Sequence, residues 1–309
     1  MARTLRTVAV PHLRVDPGPD PDVAARANVI VMEIPHHRLN DGHDLPAIGF
    51  GTAGLRGEAA IDAVTAAIEN GYRLIDTAVN YENETEVGEA LRRSGVPREQ
   101  LRVTSKIPGR HHGYDDAVRS THQSLERLGL DFLDLHLIHW PNPSQGRYAE
   151  AWRALVDLKQ EGLVRSIGVS NFTGEHLRRV IDETGVKPTV NQIELHPYYP
   201  QEHMREVNAE LGILTESWSP IGKREAPFGE PPVAEAAERH GVTPAQVILR
   251  WQVQLGNVPI PKSATPSRQR ENLDVFGFEL TEAEVAAITA LGRPDGRLFG
   301  GDPETHEEM

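Results

Sequence analysis

Residues 71–78 of the 309-residue chain read GYRLIDTA, in which a short, mainly apolar run ends at the carboxylate of Asp76. The apolar part has the length and composition of a buried β-strand. In the segment that follows, Val87 and Leu91 recur at helical spacing, and Gly95 ends the helix. The stretch therefore predicts a strand followed by a helix, with an ionisable group, Asp76, at the carboxyl end of the strand.

The same alternation of short apolar runs and amphipathic segments extends on both sides of this stretch. Strands that alternate with helices in this way favour a parallel sheet closed as a (β/α)8 TIM barrel. An open doubly wound sheet is the main alternative, but residues 49–51, GFG, lack the rest of the glycine-rich dinucleotide fingerprint. The predicted strands are residues 48–51, 72–76, 101–105, 132–139, 164–169, 189–192, 213–218 and 258–261, and helices are expected near 174–184, 202–211, 231–253 and 281–291.

The two ends of the chain differ from this pattern. Residues 1–31 carry several prolines among polar residues without periodicity, so we expect a flexible extension, with Met32 as an alternative start. Residues 32–309 are expected to form one barrel domain, whose tail from about residue 293 covers or lies near the active site. Residues 40–42, NDG, are flanked by leucines and signal a tight turn. They predict a short N-terminal β-hairpin that caps the bottom of the barrel.

The composition excludes several classes of function. A net charge of −13 at pH 7 disfavours nucleic acid or an anionic membrane as the partner, because both attract clustered Lys and Arg. The chain contains no cysteine, which excludes disulfides, zinc-thiolate sites and a cysteine nucleophile, and fits a cytoplasmic protein. No apolar run approaches the roughly 20 residues that a membrane-spanning helix needs. We therefore expect a cytoplasmic protein that acts on a small molecule.

Ionisable groups follow three successive strands of the predicted barrel. Asp76, Lys106 and His139 end or follow these strands, and Tyr81 lies in the loop just after the first of them. Barrel enzymes place their catalytic groups at the carboxyl ends of the strands. Taken singly, these residues also fit a helix cap, a solvated strand end, a half-buried ring and a core histidine. Their convergence on one barrel mouth instead predicts an active site.

Other groups of polar residues in the sequence do not predict a functional site of their own. The adjacent histidines at 36–37 and 111–112 lie in predicted loops without further ligands, so no metal site is predicted. Glu194 and His196 have no second carboxylate evidently paired with them, which argues against a hydrolase that uses two carboxylates.

The motifs of the chain resemble those of the aldo-keto reductases, in the order in which that family carries them. The similarity extends from about Arg38 to Leu291. Residues 216–222, ESWSPIG, and the end of the chain from Gly296 to Pro303 are most similar to the bacterial diketogulonate-type reductases of the family. The matching segments are residues 71–78 with Tyr81, Asn83, Glu84, Val87 and Gly88; 103–106, VTSK; 137–141, LIHWP; 167–172, IGVSNF; 191–197, NQIELHP; and 260–263, IPKS, with Thr265, Arg268, Glu271 and Asn272.

The resemblance implies an NADPH-dependent reductase that converts aldehyde and ketone carbonyls into alcohols. Tyr81 would be the general acid that protonates the carbonyl oxygen when hydride reaches the carbon. Lys106, paired with Asp76, would lower the pKa of the Tyr81 phenol by favouring phenolate. His139 would donate a hydrogen bond to the carbonyl oxygen and stabilise its developing negative charge.

Two alternatives stay open beside this reductase. The chain could bind the cofactor but catalyse weakly, and serve as a binding or regulatory subunit. The presence of all four candidate catalytic groups argues against that, because a pure binding module has no use for an acid beside an ammonium group. A more distant alternative is an unrelated hydrolytic barrel, which the absence of any cofactor effect would favour.

The resemblance also implies where the cofactor binds. Trp218 would stack on the nicotinamide ring, while Asn171 and Gln192 supply the donor and acceptor that its carboxamide needs. The loop at 219–223 would contact the pyrophosphate through backbone amides. Cations after the last strand suit the 2′-phosphate of NADPH, which NADH lacks. The predicted cofactor residues are Gly51, Thr52, Asp76, Ser170, Asn171, Gln192, Trp218, Ser219, Pro220, Ile221, Gly222, Lys262, Ser263, Thr265, Arg268, Glu271 and Asn272.

The predicted substrate pocket departs from the common pattern of the family. Ala53 and Pro108 stand where many members carry bulky aromatic side chains, so we expect a wider or reshaped pocket. Trp140 and Phe172 remain as apolar walls. The substrate stays open among a sugar-derived keto acid, a dicarbonyl and a general aldehyde, and a monomer is expected because family members are often monomers. The predicted pocket residues are Ala53, Tyr81, Pro108, His139, Trp140 and Phe172.

Overall fold

The computed structural model of the chain describes residues 34–308, so the flexible extension expected over residues 1–31 lies outside the described residues. The described part begins with a hairpin. Strand β1, His36–Arg38, pairs antiparallel with β2, Asp44–Pro46, and the predicted turn lies between them. The expected β-hairpin is therefore present.

The next eight strands form one sheet, in which each strand pairs in parallel with the following strand along the chain. The first and last of them are also joined. The N–H groups of Gly49 and Gly51 donate hydrogen bonds of 3.0 Å to the carbonyl oxygens of Pro259 and Pro261, so the sheet closes. The predicted (β/α)8 barrel is confirmed. Its strands are β3, Phe50–Gly51; β4, Leu74–Asp76; β5, Arg102–Ile107; β6, Leu133–Ile138; β7, Val164–Ser170; β8, Val190–Glu194; β9, Leu214–Trp218; and β10, Val258–Ile260.

Helices connect the strands and cover the outside of the barrel with apolar side chains. Neighbouring helices pack closely where small residues allow it. A Cβ atom at Gly88, for example, would collide with the backbone of Leu128 on the next helix. The helices are α1, Gly57–Glu69; α2, Glu84–Arg93; α3, Tyr114–Leu128; α4, Tyr148–Gln160; α5, Gly174–Thr184; α6, Glu202–Leu211; α7, Pro231–His240; α8, Pro244–Gln254; α9, Pro266–Leu273; and α10, Glu282–Thr289.

The helix expected near 231–253 is two helices, and the single-helix prediction is wrong there. Helix α7 ends at Gly241, which has φ of +66° and caps the helix in the left-handed conformation that glycine adopts without strain. Helix α8 then begins with a capping box between Thr243 and Gln246. The amphipathic pattern continues across the break, which is why periodicity alone does not detect it.

The interior of the barrel is apolar at one end and polar at the other. Leucine, valine and isoleucine side chains from alternate positions of the strands fill the inside, together with Leu39 and Leu45 of the hairpin. The hairpin side chains close this apolar end, as expected from the layered packing of such barrels. The interior cluster is Leu39, Leu45, Leu74, Leu135, Leu137, Val190, Val258 and Ile260.

Hydrogen bonds fix the hairpin to the amino-terminal ends of the strands. The Asn40 amide donates to the carbonyl oxygens of Pro188 at 2.8 Å and Gly212 at 3.1 Å, which lie two residues before β8 and β9. Ser166, near the start of β7, donates to Asp41 at 2.9 Å. The hairpin therefore caps the bottom of the barrel, and the opposite rim stays open. Between residues 34 and 308, no helix is both long enough and apolar enough to cross a membrane.

Candidate active site

Four predicted catalytic groups converge at the open rim of the barrel. Asp76 is the last residue of β4, Lys106 lies near the end of β5, and His139 directly follows β6. Tyr81 ends a short 3-10 turn that follows β4. Because parallel strands present their carboxyl ends to the same rim, residues far apart in the chain lie next to each other.

A buried ion pair lies at the centre of this group. Nζ of Lys106 lies 2.6 Å from Oδ1 of Asp76 and donates to the carbonyl oxygen of Thr77 at 3.0 Å. A third hydrogen bond, of 3.4 Å, reaches the hydroxyl oxygen of Tyr81. The Lys106 side chain is 0% exposed. Each of its three donors has an acceptor, which offsets much of the cost of removing the charge from water.

The electrostatics of the pair differ in part from the expectation. Burial by itself lowers the pKa of Lys106, but Asp76 and Tyr81 outweigh it, so the net pKa lies above its ordinary value. For Tyr81, burial around the hydroxyl raises the pKa, Lys106 lowers it and Asp76 raises it again, and the net pKa is raised. Lys106 has the expected effect on the pKa of Tyr81, but the dry surroundings outweigh it. Both groups are therefore protonated at neutral pH.

The rings of Tyr81 and His139 face the same space. Their centroids lie 5.7 Å apart at an interplanar angle of 77°, and both rings line one cleft. The backbone of His139 is held on both sides, because its N–H donates to the carbonyl oxygen of Ile107 at 2.9 Å and its carbonyl oxygen accepts from the Asn171 amide at 3.0 Å. The rings of Tyr81 and His139 therefore lie side by side in the wall of the same cleft.

The C-terminal tail reaches the same histidine. Oε1 of Glu308 lies 2.7 Å from Nδ1 of His139 and accepts a hydrogen bond of 2.7 Å from Asn80. The N–H of Gly109 donates to Oε2 at 3.3 Å. Burial alone raises the pKa of Glu308, but His139 and these donors outweigh it, so the net pKa is below its ordinary value. An ionised carboxylate of the tail therefore lies beside the predicted catalytic histidine.

A cleft of about 720 Å³ opens from these groups across the rim. Trp218, the last residue of β9, forms part of its wall, and its indole N–H donates to Oδ1 of Asn171 at 2.8 Å. Phe299 of the tail stacks on Trp218, with ring centroids 5.6 Å apart. The predicted site residues that line the cleft are Gly51, Ala53, Asp76, Tyr81, His139, Trp140, Asn171, Gln192, Trp218, Ser219, Pro220, Ile221 and Lys262.

Other predicted residues lie beside or behind the cleft. The hydroxyl groups of Thr52 and Ser170 donate to backbone carbonyl oxygens at 3.0 and 2.8 Å, so they hold strand ends together. Phe172 packs in the core against Tyr148, with ring centroids 5.3 Å apart, and Pro108 is buried. The structure does not bring Phe172 and Pro108 to the wall of the cleft.

The predicted phosphate-binding segment lies between β10 and α9. Lys262 lines the cleft, and the side chains of Lys262 and Arg268 are exposed. The backbone N–H of Thr265, the residue before α9, donates to the hydroxyl of Ser263 at 3.1 Å. Lys262 thus lies in the wall of the cleft just before the start of α9, and Arg268 is exposed on that helix, a combination that favours an anion.

The remaining predicted cofactor residues lie in the neighbouring loop and helix. Gly222 has φ of +88°, and the chain turns there into a short 3-10 segment after β9. On α9, Glu271 accepts a hydrogen bond of 2.8 Å from the hydroxyl of Thr243, and Asn272 is buried. These contacts hold the loop and the helix in place.

Gln192, in the wall of the cleft, lies between two carboxyl groups. Its Nε2 donates to Oδ2 of Asp76 and to Oε2 of Glu216, both at 2.9 Å. Glu216 is 0% exposed, and its Oε1 has no hydrogen-bond partner in the part of the chain that the structure describes. Burial, with a contribution from Asp76, raises the pKa of Glu216 to about 8. Glu216 is therefore a neutral acid at pH 7.

Among the residues of the site that carry no role in the sequence prediction are Glu216, Phe299 and Glu308. For Glu216, an acidic residue inside a predicted buried strand is a usable signal, because a charge is rarely buried without a partner. For the two tail residues no comparable signal exists. The path of the tail depends on tertiary contacts, such as the hydrogen bond of 2.7 Å from the Leu298 N–H to the Glu194 carboxylate.

The closed barrel and the groups at its rim define a (β/α)8 oxidoreductase. The model of the aldo/keto reductase family matches residues 47–225 and 230–293, and the chain belongs to this family. A similar relative is the 2,5-diketo-D-gluconic acid reductase B of Corynebacterium sp. (strain SHS752001). It is 59% identical over 276 residues, which cover 89% of this chain and 99% of that protein. The resemblance inferred from the motifs is confirmed.

Two solved structures are also similar. A mutant of Gox0644 in complex with NADPH is 44% identical and has a TM-score of 0.85, with 89% of this chain and 99% of that chain covered. The Bombyx mori aldo-keto reductase in complex with NADP is 35% identical and has a TM-score of 0.83, with 89% and 98% covered. The cofactor predicted from the motifs is the one bound in these structures.

Replacement of Glu216 by Gln should change how stability depends on pH. Because the pKa of Glu216 is raised to about 8, the folded chain keeps a proton that the unfolded chain releases near its ordinary, lower value. Between the two values, stability falls as pH rises, by up to about 1.4 kcal/mol per pH unit. The free energy of unfolding of Glu216→Gln, from urea titrations at about pH 5 to 8, should therefore fall less than that of the wild type. A difference between the two proteins that stays constant over this range would contradict the raised pKa.

Proposed function

We propose that this chain reduces aldehyde and ketone carbonyls to alcohols with NADPH, and that Tyr81 is the general acid. The observation that carries the proposal is the hydrogen bond of 3.4 Å between Tyr81 and Lys106, whose ammonium group lies 2.6 Å from Asp76 at the rim of the cleft. Membership of the aldo/keto reductase family and the NADPH bound to Gox0644 support it. The diketo-gluconic acid reductase relative favours a diketo sugar acid among the substrates.

The residues around the cleft fit the two ends of a nicotinamide dinucleotide. The indole of Trp218, held by its hydrogen bond to Asn171, provides a flat apolar surface for the ring. The amides of Asn171 and Gln192 suit the carboxamide, which needs a donor and an acceptor. Lys262 and Arg268 suit the phosphate of the adenosine end. When bound, NADPH supplies the hydride that reduces the carbonyl carbon.

The protein's own groups supply the proton and orient the carbonyl. Tyr81 gives its phenolic proton to the carbonyl oxygen, and the phenolate that forms is stabilised by the ammonium of Lys106 at 3.4 Å. Asp76 keeps Lys106 charged and in place. His139 donates a second hydrogen bond to the same oxygen, so the developing charge is shared between two donors.

Replacement of Tyr81 by Phe should lower kcat for carbonyl reduction by at least about 100-fold, because the only group proposed to protonate the oxygen is removed. The affinity for NADPH should stay within about twofold, since Tyr81 is not among the residues proposed to hold the cofactor. Loss of NADPH absorbance measures kcat with a panel of aldehydes and diketones, and quenching of tryptophan fluorescence measures binding. Near-normal turnover by the variant would refute Tyr81 as the acid. A wild type that binds NADPH but reduces no carbonyl would favour the regulatory-subunit alternative.

Replacement of Arg268 by Ala should weaken NADPH binding by about tenfold or more and NADH binding much less, because only NADPH carries the 2′-phosphate. Dissociation constants from fluorescence titrations test this. Arg270→Ala is the matched control, since Arg270 is also exposed on α9 but binds the Asn70 side chain at 3.2 Å. Equal losses for the two cofactors in Arg268→Ala would reject the assignment of Arg268 to the phosphate.

We also propose that the tail from about residue 293 is one wall of the substrate pocket. Phe299 stacks on Trp218, and Glu308 lies beside His139 at 2.7 Å. Gly109 lets the tail approach the loop after β5, because a Cβ atom there would collide with the carbonyl oxygen of Glu308. The tail therefore adds an aromatic surface and a negative charge to the space where a carbonyl substrate would bind.

Replacement of Glu308 by Gln should raise kcat/KM for an anionic keto acid by about three- to tenfold more than for a neutral aldehyde, because it removes a charge that repels the substrate carboxylate. The comparison is made from steady-state rates at constant ionic strength. Glu304→Gln is the control, since Glu304 is exposed on the same tail. The same increase for both substrates, or no increase, would argue that Glu308 does not select by charge.

A further inference from the structure

The carboxyl group of Glu216 takes no part in the proton transfer proposed above, yet it lies fully buried near the end of β9. Gln192 and Glu216 are direct partners in the pairing of β8 with β9, which places their side chains next to each other. The Gln192 amide nitrogen donates to Glu216 and to Asp76 at 2.9 Å each. Asp76 ends β4, which lies opposite β8 in the ring of eight strands. One amide thus bridges the interior of the barrel.

The two acceptors determine how the Gln192 amide is oriented. An amide carries two donors on its nitrogen and only acceptors on its oxygen. If the group were turned over, its oxygen would face Oδ2 of the Asp76 carboxylate, which is repulsive. Gln192 is 2% exposed, and it lines the cleft beside Trp218. Its amide oxygen is therefore the atom left for a donor in the cleft.

We propose that Glu216 is a positioning residue that, together with Asp76, locks the Gln192 amide with its oxygen toward the carboxamide N–H group of the nicotinamide. This inference rests on the proposed function, because it needs NADPH in the cleft. A fixed acceptor restrains the carboxamide and hence the orientation of the ring that gives up hydride.

The neutral state of Glu216 suits this role. A neutral carboxyl has one acceptor oxygen and one hydroxyl, which agrees with an Oε2 that accepts from Gln192 and an Oε1 without a partner among the described residues. A carboxylate at this position would add a second negative charge near Asp76 and compete for Lys106. The neutral acid orients Gln192 without disturbing the ion pair that the proton transfer needs.

The test compares two variants of Glu216 with two ligands, with binding measured by calorimetry. Glu216→Met removes the acceptor but keeps a flexible side chain of similar length, whereas Glu216→Gln keeps an acceptor oxygen. The ligands are NADPH and adenosine 2′,5′-bisphosphate, which lacks the nicotinamide. In Glu216→Met, NADPH binding should weaken by about tenfold, the size of a lost hydrogen bond, and bisphosphate binding should stay within about twofold. Glu216→Gln should bind both ligands within about threefold of the wild type.

Three results would overturn the inference. The first is an unchanged ratio of the two dissociation constants in Glu216→Met, including an equal loss of both ligands, which would make Glu216 a support of the fold alone. The second is a loss of NADPH affinity in Glu216→Gln as large as in Glu216→Met. If Glu216→Met does not fold, Glu216→Asp, which withdraws the acceptor by one methylene, takes its place. The third contrary result is then an unchanged ratio of the two dissociation constants in Glu216→Asp. A wild type that does not bind NADPH would instead contradict the proposed function itself.

Discussion

The ion pair between Lys106 and Asp76 is the contact on which the proton transfer proposed for the barrel mouth depends. Removing an ammonium and a carboxylate from water costs several kcal/mol per ion, and their attraction compensates only when the remaining donors and acceptors are also used. Here Lys106 donates to Asp76, Thr77 and Tyr81, and Asp76 also accepts from Gln192. The pair is therefore stable as a charged unit, and it presents a fixed positive charge to one phenol.

Closure of the sheet makes this contact possible. Asp76 and Lys106 lie 30 positions apart in the chain, and β4 and β5 bring them to one rim because the strands are parallel and adjacent. The two ends of the barrel then have separate tasks. The hairpin and the leucine-rich interior close and stabilise the bottom, while the polar layer at the top is left open. Substitutions in the polar layer can therefore change chemistry without changing the apolar interior.

The fold and the position of the candidate catalytic groups at the rim were predictable, because both depend on short local stretches of the sequence. Short apolar runs and helical patterns predict the strands and helices, and Asp76, Lys106 and His139 lie at or directly after the ends of their strands. The break between α7 and α8 was not predictable from periodicity. The net pKa of Tyr81 and the place of Glu308 depend on burial and on the path of the tail, which arise only in the folded chain. The monomeric state and the cytoplasmic location stay predictions.

The C-terminal tail influences the pKa of Tyr81 through the charge of Glu308. The dry surroundings, Asp76 and Glu308 raise the pKa of Tyr81, and Lys106 lowers it. Glu216 adds no charge to this balance as long as it is neutral. Among the charged groups, Asp76 and Lys106 are fixed in strands, whereas Glu308 lies on the tail. With the tail in place, Tyr81 is held more firmly in the protonated form that a carbonyl reduction requires. The segment proposed to wall the pocket would therefore also act on the proposed acid, so that substrate fit and the pKa of Tyr81 would be coupled through the carboxylate of Glu308.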